Sequence, residues 1–242
     1  MMRGSTAPLR QVMLRTVSPS LSLEERFTAF VENRPYPCVG AKSALARGQM
    51  TIVMARDIGS AQNDATLYRA IREFAGLARG AADAFQSLVV VFEGPVDLSE
   101  AALETALWRR LQALSDIDVR QGQACDPHVS ADPESPEFSL SFGGEAFFVI
   151  GLHPGASRRA RRFDTPVIVF NPHRQFRRLR DAGRYEGLRR AIVARDLAFS
   201  GSANPMLARH GERSEARQYS GRVVDQAWVC PFTGRGGASH GS

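Results

Sequence analysis

Residues 145–176 read EAFFVIGLHPGASRRARRFDTPVIVFNPHRQF, and their pattern decides the fold. Two apolar runs, each long enough for a strand, end at a histidine beside a proline, His153 in the first run and His173 in the second. The segment between the two runs carries a cluster of arginines, namely Arg158, Arg159, Arg161 and Arg162. The pattern therefore predicts two strands that bring imidazoles close to a binding site for an anion.

The neighbouring segments predict that these strands belong to a mixed or antiparallel sheet. Residues 138–142 alternate between apolar and polar side chains, and Gly143-Gly144 then favours a hairpin turn into the strand that follows. Residues 87–92 form a continuous apolar run that is typical of a central strand. The expected element order, αβαβαβββα, is that of an α/β (α+β) fold with helices packed on the sheet.

The chain length predicts a single domain with an extension at each end. Residues 1–20 are expected to be a flexible extension, residues 21–232 the domain, and residues 233–242 a disordered tail. Within the domain, the acidic and proline-containing residues 115–137 predict an irregular surface loop. The residues after Phe199 predict a long ordered loop that builds the wall of a pocket.

The composition argues against several classes of protein. No apolar run is long enough to span a membrane, and the N-terminal residues lack the continuous apolar segment of a secretory signal. The three cysteines, Cys38, Cys125 and Cys230, lie far apart without a CxxC pair, which predicts a reducing, cytoplasmic environment. Lys42 is the only lysine, so arginine carries almost all of the basic charge behind the net charge of +6.

Short blocks spread over most of the chain resemble the YqcI/YcgG family. The matching blocks are Pro37-Cys38 with Ala44-Leu45, the helix around Trp108, Gly151-Leu152-His153-Pro154 with Arg158 and Arg162-Phe163, Phe170-Asn171-Pro172-His173 with Gln175-Phe176, Arg195-Asp196, Gly201-Ser202 with Asn204-Pro205-Met206, Gln218-Tyr219-Ser220-Gly221, and Trp228 with Cys230-Pro231-Phe232. Together they cover roughly residues 25–232 and are specific in combination.

The resemblance implies a reaction and a cofactor. Characterised relatives are haem-dependent N-oxygenases, among them the guanitoxin-pathway enzyme that hydroxylates a guanidino nitrogen and relatives that oxidise the side-chain amine of lysine. We therefore expect haem, O2 or peroxide as oxidant, and a small cationic amino-acid-like substrate. The chain has no GxGxxG fingerprint for flavin or nicotinamide, so a separate reductase is expected to supply electrons.

A haem site needs an axial donor to iron, cations for two propionates, and apolar or aromatic walls. The candidate donors rank in the order His153, Cys38, His173 and Cys230. His153 ranks first because it follows an apolar strand directly and lies nearest the arginines, whereas a thiolate ligand would favour O–O cleavage. Candidate partners of the propionates are Arg158, Arg161, Arg162, Arg217 and Arg222, and candidate walls are Phe147, Phe170, Phe176, Tyr219 and Trp228.

A cationic substrate also calls for a carboxylate in the pocket. Glu215 is the first candidate for this catalytic role because of its place in the matched C-terminal part of the chain. The alternatives are Glu145, Asp196 and Glu212.

Three other functions remain open on the sequence alone. Residues 156–196 hold twelve arginines against four acidic residues, which would suit a nucleic-acid or phosphate-binding module, although no known nucleic-acid-binding signature is present. A haem carrier or sensor without turnover would use the same ligands as an enzyme. A haem-free enzyme would use Cys38 as nucleophile, with Lys42 one helical turn away.

Overall fold

A five-stranded mixed sheet organises the fold in the computed structural model, which describes residues 21–80, 85–206 and 211–235. The strands, in chain order, are β1 (Met50–Asp57), β2 (Ser87–Gly94), β3 (Leu140–Phe142), β4 (Glu145–Leu152) and β5 (Val167–Pro172). They lie in the order β1-β2-β5-β4-β3, with β1 and β2 parallel and every other neighbouring pair antiparallel. The predicted α/β fold with a mixed sheet is confirmed.

Helices connect and cover the strands. They are α1 (Leu23–Glu32), α2 (Val39–Ala46), α3 (Asp64–Gly80), α4 (Glu100–Arg120), α5 (His173–Asp181), α6 (Tyr185–Ser200) and the short α7 (Ala216–Tyr219), with 3-10 turns at Ala61–Asn63 and Arg159–Arg161. Gly183 separates α5 from α6 at a positive φ of 67°. None of the helices in the described ranges is both long and apolar enough to cross a bilayer.

Local sequence signals fix several element boundaries. Ser22 caps α1 in a capping box: its hydroxyl accepts from the Glu25 amide at 3.2 Å, and its own amide donates to the Glu25 carboxylate at 2.7 Å. Gly143 and Gly144 form the β3–β4 hairpin turn with φ of 57° and 77°. Both values lie in the left-handed region, which glycine occupies without steric cost.

Alternate side chains of each strand point to opposite faces of the sheet, and the two faces differ. On one face, which we call the packed face, α3 and α4 cover a large core. That core includes Ile71, Phe74, Leu88, Val90, Leu107, Trp108, Leu111, Phe147, Val149 and Phe170. The opposite face, which we call the cavity face, is covered at one end by α1 and α2 through a smaller cluster. This cluster includes Phe27, Val31, Val89, Val91, Leu152, Phe163 and Val167.

One predicted boundary, the start of the loop at residue 115, needs correction. Helix α4 continues to Arg120, so residues 115–120 are helical rather than part of a loop. The described chain also extends to Arg235, beyond the predicted end of the domain. Asp118 of α4 is fully buried and accepts from the Arg235 guanidinium at 2.8 Å, from the Tyr68 hydroxyl and from a backbone amide. The acidic residues that predicted a surface loop thus include a carboxylate that is buried in an ion pair. Residues 1–20 and 236–242 lie outside the described residues.

Candidate functional site: a cavity on the second face of the sheet

A cavity of about 260 Å³ lies between the cavity face of the sheet and α6. Its floor is formed by side chains of three strands: Ser87 of β2, Phe148 and Ile150 of β4, and Asn171 of β5. Leu188, Ile192 and Val193 of α6 line the opposite side. None of the 16 residues of α6 is buried. The helix therefore lies over the sheet without the close packing that α3 and α4 make on the other face.

Cys38 reaches the cavity from the start of α2. It is the N-cap of that helix, and its sulfur accepts a hydrogen bond from the Ala41 amide at 3.4 Å. Burial raises the pKa of the Cys38 thiol, and its hydrogen bonds and the charges of Arg161 and Lys42 offset only part of that effect. Cys38 is therefore a neutral thiol at neutral pH unless a bound cation favours the thiolate.

Arg158 lines the cavity as one half of an ion pair. One of its guanidinium nitrogens lies 2.5 Å from a carboxylate oxygen of Asp196 on α6. The same guanidinium donates to the carbonyls of Ser202 and Ala203 at 3.2 and 3.3 Å. These contacts tie the loop before β5 to the end of α6, and the two opposite charges largely cancel.

Arg161 lines the cavity without such a partner. Its guanidinium donates to the carbonyls of Gly151, Gln218 and Tyr219 at 2.9, 3.1 and 3.3 Å. Among the described residues it forms no salt bridge with a carboxylate. Burial lowers the pKa of Arg161 to about 10, which still leaves it charged at neutral pH. The cavity wall therefore carries one uncompensated positive charge.

The part of the chain that forms this cavity resembles a known family. The YqcI/YcgG family model matches residues 27–233, which include every strand and helix named above except the first turn of α1. The chain belongs to the YqcI/YcgG family. It is 25% identical over 214 residues to "Uncharacterized protein YqcI" of Bacillus subtilis (strain 168), covering 83% of this chain and 81% of that protein. No solved structure matches the chain.

His153, the first-ranked donor, lies behind the arginine loop and does not line the cavity. It is 1% exposed, its ring donates to the Leu98 carbonyl, and its Nδ1 has no partner among the described residues. A Cβ added at Gly155 would lie 3.1 Å from the Leu98 oxygen and 3.5 Å from the imidazole, so the backbone packs tightly beside this ring. Burial lowers the pKa of His153, which keeps the ring neutral.

His173 and Glu215 form a buried pair next to the cavity. Nε2 of His173, at the start of α5, lies 2.7 Å from Oε2 of Glu215, which directly precedes α7. The imidazole packs edge-on against Phe176, with ring centroids 6.2 Å apart, and Phe176 lines the cavity. The predicted catalytic carboxylate and the third-ranked donor therefore engage each other one layer behind the cavity wall.

Cys230 and four of the five predicted aromatic walls belong to the core of the packed face or pack against it; these four are Phe147, Phe170, Tyr219 and Trp228. The fifth, Phe176, lines the cavity. Cys230 is 7% exposed, and burial raises its pKa to about 12. Tyr219 stacks on Trp108 at 5.6 Å and donates to the Phe147 carbonyl, while Trp228 lies 6.4 Å from the same indole. These residues anchor the long C-terminal segment to the core, and that segment contributes Asn204 and Gln218 to the cavity.

The remaining predicted arginines have structural partners. Arg217 donates to carbonyls of residues 225–228 and lies over the Trp228 ring at 5.3 Å. Arg222 pairs with Glu104 at 2.5 Å, and Arg162 donates to the carbonyls of Ala156 and Ser157. Arg174 and Arg177 likewise pair with the buried Glu145 and Asp126.

Sequence reasoning missed a set of polar residues that also line the cavity: Tyr36, Asn171, Gln175, Asn204 and Gln218. Most of them lie inside the blocks that resemble the family, which was the available signal. The sequence pattern did not indicate that these residues would lie on the same face of the sheet. Three are already engaged: Asn171 accepts from Ser87, Gln175 accepts from the Gln86 amide, and Asn204 accepts from the Met206 amide.

The residues of the cavity can be tested against the requirements of haem. One thiol, two arginines and apolar walls from β4 and α6 supply a donor, propionate partners and two flat sides. The volume of about 260 Å³ lies below the range of about 300–1,000 Å³ for pockets that bind drug-sized ligands. The types of donor therefore match those that haem uses, whereas the cavity in this structure is smaller than a drug-sized ligand needs.

Proposed function

We propose that this protein is a haem-dependent N-oxygenase that hydroxylates an amine or guanidine nitrogen of a small, cationic, amino-acid-like molecule. The observation that supports it best is the convergence of Cys38, Arg158 and Arg161 on one apolar-walled cavity. Three separate parts of the chain supply these residues and the α6 wall. The resemblance to characterised members of the family supplies the class of reaction.

Each residue has a distinct role in this proposal. Cys38 would ligate the iron, because a coordinating metal deprotonates a thiol that burial otherwise keeps neutral. Arg161 would hold one propionate through charge-assisted hydrogen bonds. Arg158 would hold the other in exchange for its pair with Asp196, which would leave that carboxylate for the substrate. The apolar side chains of β4 and α6 would exclude water from the reacting nitrogen.

Bound haem supplies the activation of oxygen. With O2, one oxygen atom enters an N–H bond to give N–OH, and the other leaves as water after two electrons and two protons are added. A separate reductase would supply those electrons, whereas peroxide would need none. Asp196 would hold the cationic group of the substrate, since it is the one carboxylate among the described residues that line the cavity. It is better placed for this role than Glu215, which binds His173.

Product analysis tests the proposal. We expect haem-loaded protein, given peroxide or O2 with a reducing system, to add one oxygen atom to a member of a panel of amino-acid-like amines and guanidines. Asp196→Asn should raise KM for that substrate, and Glu215→Gln serves as the matched control because its carboxylate lies outside the cavity. Haem-loaded protein that oxygenates no member of the panel would favour the carrier or sensor alternative and contradict the enzyme.

A further inference from the structure

Tyr36 faces the same cavity, although no sequence pattern singles it out. The residue is 9% exposed, and its ring packs 4.6 Å from that of Phe30, which fixes its orientation. The ionisable groups that act on its hydroxyl are Cys38, Arg161 and Asp196, and all three line the cavity. Tyr36 therefore lines the cavity together with these ionisable side chains, and we call the part of the wall that they form its polar end.

The Tyr36 hydroxyl is available as a hydrogen-bond donor. It makes no hydrogen bond with any residue in the described ranges. Burial raises the pKa of Tyr36 far above its usual value, so the group keeps its proton at neutral pH. Its oxygen is not among the fully enclosed polar atoms, so the hydroxyl is accessible to a molecule in the cavity. A ligand oxygen in the cavity is the acceptor that its position provides for.

The charge next to this hydroxyl selects an anion. Arg158 and Asp196 neutralise each other at 2.5 Å, whereas Arg161 bonds only to main-chain carbonyls among the described residues. One positive charge and one neutral donor thus line the same cavity. A guanidinium and a hydroxyl together suit the two oxygens of a carboxylate. A neutral ligand would leave the charge of Arg161 without a counter-ion.

We propose that Tyr36 and Arg161 form a carboxylate-binding site at the polar end of the cavity. Two sources can supply the carboxylate, a haem propionate or the free carboxylate of a small molecule. The first source rests on the proposed haem function, and the second does not.

Tyr36→Phe is the decisive variant, because it removes the hydroxyl and retains the ring that packs on Phe30. Tyr68→Phe is the matched control, since it removes a buried hydroxyl from the packed face, where Tyr68 donates to Asp118.

Two pairs of probes differ only in the carboxylate: haemin against haemin dimethyl ester, and hexanoate against hexanamide. Haemin binding is measured by absorbance titration. Binding of the short probes is measured as protection of Cys38 from alkylation, followed by mass spectrometry.

We expect wild type to prefer the carboxylate member of at least one pair, and Tyr36→Phe to weaken that member by about tenfold or more, the value of a hydrogen bond to a charged group. Loss confined to haemin supports a propionate source, and loss confined to hexanoate supports a free carboxylate. Wild type that takes up no haemin but binds hexanoate in a Tyr36-dependent way removes the haem function and leaves this site standing. Equal binding of acid and neutral probes by wild type overturns the site, as does an equal loss in Tyr68→Phe.

Discussion

The two faces of the sheet share the same strands and yet have different physical characters. Neighbouring residues of β4 illustrate this: Phe147 and Val149 are fully buried under α3 and α4, whereas Phe148 and Ile150 form the floor of the cavity. Helix α4 buries nine residues on its side, and α6 buries none on the other. The packed face therefore supplies stability, and the cavity face holds the groups with binding chemistry. Substitutions at two neighbouring positions of a strand should therefore have different effects: one should alter stability, and the other should alter binding in the cavity.

The largest expected effect comes from adjacent phenylalanines of β4. Phe147→Ala should lower the free energy of unfolding by about 3–5 kcal/mol, since it leaves a cavity in a close-packed core. Phe148→Ala should cost clearly less, because the side chain is only partly buried and borders an existing cavity. Urea unfolding of both variants measures the difference. Equal losses would contradict the distinction between the two faces.

The second effect concerns the ion pair that links α4 to the C-terminal residues. Arg235→Ala should lower the free energy of unfolding by about 3 kcal/mol, because it leaves the fully buried Asp118 without its cation. Arg26→Ala is the control: its pair with Asp164 is about half exposed and should contribute less than about 1 kcal/mol. A loss from Arg235→Ala no larger than that from Arg26→Ala would show that Arg235 does not compensate the buried carboxylate.

Features of the fold that depend on neighbouring residues could be predicted from the sequence, whereas a contact between distant residues could not. The glycine hairpin, the capping box at Ser22 and the periodicity of α3 and α4 depend on neighbouring residues, and each was predictable. The contact between Asp118 and Arg235 joins positions 117 residues apart and leaves no local pattern. The predicted start of the loop at residue 115 was wrong for this reason.

The candidate site, too, could be predicted from the sequence only in part. Arg158 and Arg161 were candidates because of their clustering, and Cys38 because of its place at a helix start; all three line the cavity. His153 ranked above Cys38 because it is close to the arginines in sequence, but its ring lies behind their loop. Tyr36 required the packing of α2 against the sheet to be known. Closeness in sequence does not determine on which side of a loop a side chain lies.

A third prediction concerns local stability on the cavity face. Because α6 buries no residue, its amides should exchange hydrogen faster than those of α3 in the unliganded protein. Haemin should slow exchange in α6 and at the start of α2 and leave α3 almost unchanged, since a ligand stabilises the elements that it contacts. Hydrogen exchange followed by mass spectrometry measures this. Protection that appears first in α3 and α4 would place the ligand on the packed face and contradict binding in the cavity.

The smallest expected effect is a pH dependence. Burial lowers the pKa of His153, so below the usual histidine pKa of about 6.5 the unfolded chain binds a proton that the folded chain resists. This contribution to stability is fully present above about pH 6.5 and is lost as the pH falls through the folded-state pKa. His153→Gln should reduce the loss of stability between pH 7.5 and pH 5. Urea midpoints that fall equally in both proteins would assign the dependence to other groups.

The absorbance spectrum of the reduced carbon monoxide complex tests the central claim most directly, which is that Cys38 ligates haem in the cavity on the second face of the sheet. Haem-loaded wild type should show a strongly red-shifted band, as thiolate ligation produces. Cys38→Ala should lose that band, and His153→Gln should keep it. A wild-type protein that takes up no haemin, or an unshifted band that Cys38→Ala leaves unchanged, would contradict the claim.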